Sequence, residues 1–132
     1  MLEGWSGDEY YTLFDDADYP SLTQEYGVEA LLPGFSVVGL IGWDDFLLSR
    51  KGNYFTCPTV PILSQYVTRF EPLELPPQLT SDANLAGRCK WYVTPLVFGG
   101  NPTDDSNLIW VEYTQHRELV RWWNEKYAKM KS

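Results

Sequence analysis

The chain has 132 residues, a net charge of −8 and 16% aromatic residues, with two cysteines and one histidine. A chain of this length is expected to form one domain, residues 1–132, and to bury roughly 65–70% of its unfolded surface without help from a metal or disulfides. Its acidic balance disfavours direct binding of nucleic acid, which takes clustered Lys and Arg, and no apolar run reaches the ~20 residues of a membrane span.

In chain order, Asp8 to Tyr19 places Tyr11, Leu13 and Phe14 at mixed spacings and predicts one or two helical turns, ended by Pro20. Ser21-Leu-Thr-Gln24 has the form of a capping box. From it a helix is expected through Leu22, Glu25, Tyr26, Glu29, Ala30 and Leu32, weakened at Gly27 by roughly 1 kcal/mol relative to Ala. Pro33-Gly34 stops it. The stretch Phe35 to Cys57 then reads as the centre of the fold. Val37, Val38, Leu40 and Ile41 form an apolar run typical of a strand buried on both faces. Phe46-Leu47-Leu48 and Tyr54-Phe55-Thr56-Cys57 flank Ser49-Arg50-Lys51-Gly52-Asn53, in which Gly52 and Asn53 tolerate positive φ, so the pair predicts a β-hairpin. Between strand and hairpin lies Gly42-Trp43-Asp44-Asp45, expected at a sheet edge or turn because ionised Asp is seldom buried alone.

Pro58-Thr-Val-Pro61 predicts an extended corner. Ile62 to Phe70 predicts a short helix, capped by Ser64, with Tyr66, Val67 and Phe70 facing inward. Glu71 to Gly87, rich in Pro, Ser and Asn, reads as a long surface connection. Lys90 to Phe98 predicts a strand bent at Pro95, Gly99 to Asn107 a turn, and Leu108 to Tyr113 a strand with Leu108, Trp110 and Glu112 on one side. A final helix over Gln115–Met130, capped by Thr114, carries a stripe of Leu119, Trp123, Tyr127 and Met130, with Trp122 beside it. The fold class is therefore α+β: N-terminal helices, a central antiparallel sheet of about four to six strands, and a C-terminal helix packed on the sheet. Cys57 and Cys89 sit as small apolar residues within predicted strands, which favours free core thiols over a disulfide.

The residues offer little to catalysis. His116, in the first turn of the last helix, reads as a solvated or structural histidine. No Gly-x-Ser-x-Gly elbow, calcium loop, zinc spacing or phosphate cradle occurs, so no cofactor or metal is expected and the chain is not read as an enzyme. Asp44-Asp45 would serve a hydrolase only with a second acid or a metal nearby, since neighbours on a strand face opposite ways. Asp104-Asp105 follows Asn101-Pro-Thr103 as ordinary turn chemistry.

Charge is more informative. Residues 1–49 carry ten acids and neither Lys nor Arg, so they hold −10 against +2 for residues 50–132. Such segregation suits a basic protein partner, steered by the field and held by charge-assisted bonds around aromatic anchors. The candidate partner-binding residues are Asp15, Asp16, Asp18, Glu25, Glu29, Trp43, Asp44 and Asp45. An alternative is a small-ligand or carbohydrate-binding module in which Trp43, Trp91 or Trp110 forms a stacking platform. With no basic–apolar leader, a cytoplasmic location is expected.

The order of elements carries a resemblance. A helical N-terminal part leads through Leu32-Pro33-Gly34 into a short meander. A last strand, Leu108-Ile-Trp-Val-Glu-Tyr-Thr114, then runs into Gln115-His-Arg-Glu-Leu-Val-Arg-Trp-Trp-Asn124. This resembles the SUKH superfamily, α+β proteins of which many are bacterial immunity proteins that neutralise secreted toxins, often nucleases. The resemblance implies an immunity protein or inhibitor of a toxin or nucleic-acid enzyme, and it rests on the order of elements across most of the chain.

Overall fold

The computed structural model describes residues 2–70 and 74–131. Six strands form an antiparallel meander in sequential order. They are β1 (Leu2–Ser6), β2 (Glu9–Leu13), β3 (Ser36–Ile41), β4 (Asp45–Arg50), β5 (Asn53–Pro58) and the short β6 (Thr68–Arg69). Two helices, α1 (Tyr19–Glu25) and α2 (Val28–Leu31), lie between β2 and β3. A separate antiparallel pair, β7 (Arg88–Tyr92) and β8 (Leu108–Glu112), runs into α3 (Tyr113–Lys131). The α+β class is as expected, with six strands in the main sheet and the C-terminal helix packed on the second, smaller one.

The N-terminal segment differs from the helical expectation. Glu9–Leu13 is a strand joined to β1 by the two-residue turn Gly7-Asp8, in register Ser6↔Glu9. The run Tyr10-Tyr11-Thr12 has no 3.6-residue period, and β2 is covered on both faces, Tyr11 by the cluster of Ile41, Leu47 and Phe70 and Tyr10 by Trp5 and Trp110. Pro20 starts a helix rather than ending one, since the first turn needs no proline N–H. Ser21 therefore lies inside α1, where its hydroxyl donates to the Asp18 carbonyl at 3.1 Å instead of capping. The single helix expected to Leu32 is broken at Gly27, whose φ of 83° separates α1 from α2.

The β4–β5 hairpin forms as expected, but the positive φ values fall on Lys51 (51°) and Gly52 (81°), one residue earlier than the sequence suggested. Strands β3 and β4 make the centre. Phe46 and Leu48 point into the larger core with Val37, and Leu47 points into a second cluster with Tyr11, Ile41 and Phe70 on the opposite face. Gly39 is required by the sheet itself, because a Cβ there would lie 2.4 Å from the Thr12 carbonyl oxygen of β2.

Further along, the predicted helix at Ile62–Phe70 shrinks to a single 3₁₀ turn, Ser64–Tyr66, followed by β6. Tyr66 is exposed rather than inward, while Phe70 is buried. Part of the long connection, 71–73, lies outside the described residues; beyond it, Thr80 bridges to Trp5 of β1. Strand β7 ends at Tyr92, short of Pro95, and Leu96–Phe98 is a 3₁₀ turn. Helix α3 begins one residue before Thr114, so Thr114 is not its cap. Its buried face is His116 and Val120, with Leu119 and Trp123 packed at the margin, whereas Trp122 and Met130 are exposed. Cys57 and Cys89 are free, buried thiols. Among the described residues no helix is long and apolar enough to cross a membrane.

Candidate functional site

The acids singled out in the sequence divide between the two ends of β2, which spans about 14 Å from Glu9 to Leu13. At one end, the turn Gly42–Asp44 joins β3 to β4. Its Gly42 N–H donates to the Tyr10 carbonyl at 3.0 Å, and the Asp44 carbonyl accepts from the Thr59 N–H at 2.7 Å. The turn is thus pinned to β2 on one side and to the segment after β5 on the other. Thr59 Oγ1 also donates to Asp44 Oδ1 at 3.3 Å.

Trp43 projects from this turn onto β7 and β8. It stacks on Tyr92 with centroids 5.9 Å apart and meets Trp110 edge-on at the same distance. Tyr10 lies between Trp5 and Trp110, at 5.2 and 5.1 Å. In the middle is Lys90, 7% exposed, its ammonium 4.6 Å from the Trp5 ring, 4.9 Å from Trp43 and 5.7 Å from Trp110. Among the described residues it makes no ion pair, so the ring faces supply its electrostatic compensation. Burial pulls its pKa below the ordinary lysine value, partly opposed by Glu9.

Behind the cage is a cavity of about 10 Å³ bordered by Tyr10, Thr12, Asp44, Asp45, Lys90 and His116 among others, room for about one water molecule. Among the described residues the buried Tyr10 hydroxyl has no hydrogen-bond partner, and burial raises its pKa to about 12. Burial, then the neighbouring Asp45 charge, lifts Asp44 to about 7 against the pull of the Thr59 hydrogen bond. Burial and Glu9 also raise Asp45. His116 shares a 2.7 Å hydrogen bond through Nδ1 with the Tyr26 hydroxyl and packs edge-on to Trp91. Burial, with a smaller effect from Arg117, lowers its pKa to about 3. His116 is a neutral core residue.

At the opposite end of β2, Asp15, Asp16 and Asp18 are exposed on the approach to α1, and Glu25 and Glu29 are exposed on α1 and α2. Asp18 and Glu25 border a groove of about 290 Å³ with Phe14, Leu22, Tyr113 and Arg117 among its walls. Arg117 of α3 crosses it, its Nε 3.5 Å from Glu25 Oε2. Comparison with protein-family models, with curated proteins and with solved structures finds no match.

Of the eight sequence candidates, then, Trp43, Asp44 and Asp45 meet at one end of β2, and Asp15, Asp16, Asp18, Glu25 and Glu29 lie towards the other. Sequence reasoning missed Trp5, Tyr10, Lys90 and Tyr92. A cation inside the apolar run Cys89-Lys90-Trp91-Tyr92 was the available signal. The pairing Lys90↔Trp110, which puts both on one face, exists only once the strand register is known.

Proposed function

We propose that the chain is an acidic binding protein that neutralises a basic protein partner, acting as an immunity protein or inhibitor of a toxin or nucleic-acid enzyme in the manner of the SUKH superfamily. The observation that carries the reading is the set of exposed carboxylates, Asp15, Asp16, Asp18, Glu25 and Glu29, that follows β2 along α1 and α2. An enzyme that handles nucleic acid has a basic surface, and a field of this sign steers such a partner and shields it from its substrate. The aromatic platform reading is less well supported. Trp91 is buried against His116, and Trp43 and Trp110 spend their faces on Tyr92, Tyr10 and Lys90. The hydrolase reading also lacks support, because a cavity of about 10 Å³ beside Asp44 and Asp45 admits no substrate.

The test is capture from the native host on the immobilised chain, followed by binding measurements in a salt series. Binding of the captured partner should weaken at least tenfold when Asp15, Asp16 and Asp18 become Asn and Glu25 becomes Gln. It should also weaken from low to high salt, since exposed charges are screened beyond about 8–10 Å near physiological ionic strength. Undiminished binding by the neutralised variant would remove the electrostatic basis of the proposal.

A further inference from the structure

Resting on that reading, we infer that the groove between α1 and the start of α3 is the seat for an arginine side chain of the basic partner, and that Arg117 occupies it until the partner arrives. The walls suit a guanidinium. Phe14, Leu22 and Tyr113 are part-buried and packed against the main core, which offers apolar and aromatic surface to an arginine stem and to the flat face of its head group. Asp18 and Glu25 stand at the rim, and the Asp18 carboxylate makes no ion pair among the described residues.

The groove already holds a cation of this class. Among the described residues, Arg117 reaches Glu25 through Nε at 3.5 Å, and its Nη2 donates to the Thr114 hydroxyl at 3.4 Å. That is one long contact rather than a two-pronged fork, and it is partly exposed on both sides. Such a pair is worth little and exchanges readily. The backbone beneath it is fixed, because His116 and Val120 are buried on the neighbouring face of α3. Exchange therefore needs only the Arg117 side chain to swing out, leaving Glu25 to take an incoming guanidinium in the bidentate geometry that lysine cannot match, with the Asp18 charge on the same groove.

The experiment uses nona-arginine and nona-lysine peptides as probes, titrated calorimetrically into the full chain at low salt. Nona-arginine should bind more tightly than nona-lysine. Arg117→Gln should tighten nona-arginine binding by about two- to fivefold, the span of a surface ion pair. Asp18→Asn with Glu25→Gln should weaken it at least tenfold. Asp8→Asn with Glu9→Gln, an equal change of charge at the other end of β2, should weaken it less than twofold. Equal losses in the two double variants, or equal binding of the two peptides, would overturn the groove while leaving a general acidic surface intact. Unchanged or weaker binding by Arg117→Gln would overturn the placeholder role. A wild-type chain that binds neither peptide would overturn both the groove and the wider proposal.

Discussion

Two titratable residues, the buried His116 and the half-buried Asp44, pull the pH dependence of stability in opposite directions. Asp44 titrates at about 7 in the folded chain, against an ordinary value of 3.8. The folded state holds its proton longer than the unfolded state, so this contribution is greatest below pH 4 and is lost as pH rises to 7. His116 titrates at about 3 instead of 6.5. Its contribution is present above pH 6.5 and is lost as pH falls towards 3. Across the shared window the two slopes oppose each other, each approaching about 1.4 kcal/mol per pH unit for one proton. Asp44→Asn should therefore raise stability by about 2 kcal/mol at pH 8 and change it little at pH 4. It should also convert a shallow profile between pH 4 and 7 into one that climbs with pH. Urea midpoints measured at unit pH intervals decide this, and a gain of the same size at every pH would contradict the burial of a protonated carboxyl.

At the scale of elements, backbone freedom is tested by two glycines with different demands. Gly39→Ala puts a methyl against the Thr12 carbonyl oxygen at 2.4 Å, between two paired strands whose backbones would have to move apart. A loss of roughly 2–3 kcal/mol is expected in thermal melting. Gly27→Ala meets no atom within 4 Å, but it forces a side chain onto a φ of 83°. Its cost should be about 1–2 kcal/mol. Equal losses would mean that the strand contact is softer than its geometry implies. The β3–β4–β5 meander was legible because its apolar runs and the turn-forming residues between them agree on a hairpin, although its positive φ values fall on Lys51-Gly52 rather than Gly52-Asn53. The first hairpin was not, although Gly7-Asp8 is also a two-residue turn, with positive φ at Gly7 alone. The mixed spacings of Tyr11, Leu13 and Phe14 ahead of Pro20 suggested helical turns, while the decisive fact, that β2 pairs with a strand on each side, is tertiary. The last helix was legible as an element but not in its details. His116 rather than Met130 proved to be core, because α3 packs through its first half and its far end runs past the sheet.

For the molecule as a whole, the charge asymmetry was plain in the sequence, but its spatial division was not. Chain order puts Asp15 and Asp44 in one acidic block, and the antiparallel pairing of β2 with β3 sends them to opposite ends. The joint between the two sheets was equally hidden, since Trp5, Trp43, Lys90 and Trp110 are far apart in sequence. Its chemistry can be tested by changing the cation. Lys90→Met keeps the length and apolar stem and removes a buried charge whose desolvation opposes the ring faces, so stability should stay within about 1 kcal/mol. Lys90→Glu sets an anion against the negative faces of three indoles and near Glu9, and should cost at least about 3 kcal/mol in urea denaturation. Equal tolerance of both would show that the rings do not sense the sign of the charge. The same arrangement gives the protein a native optical gauge. Three of its six indoles, drawn from β1, the β3–β4 turn and β8, surround one ammonium. Any event that parts the small sheet from the large one admits solvent to those chromophores together, so their ultraviolet emission records that parting without an attached dye.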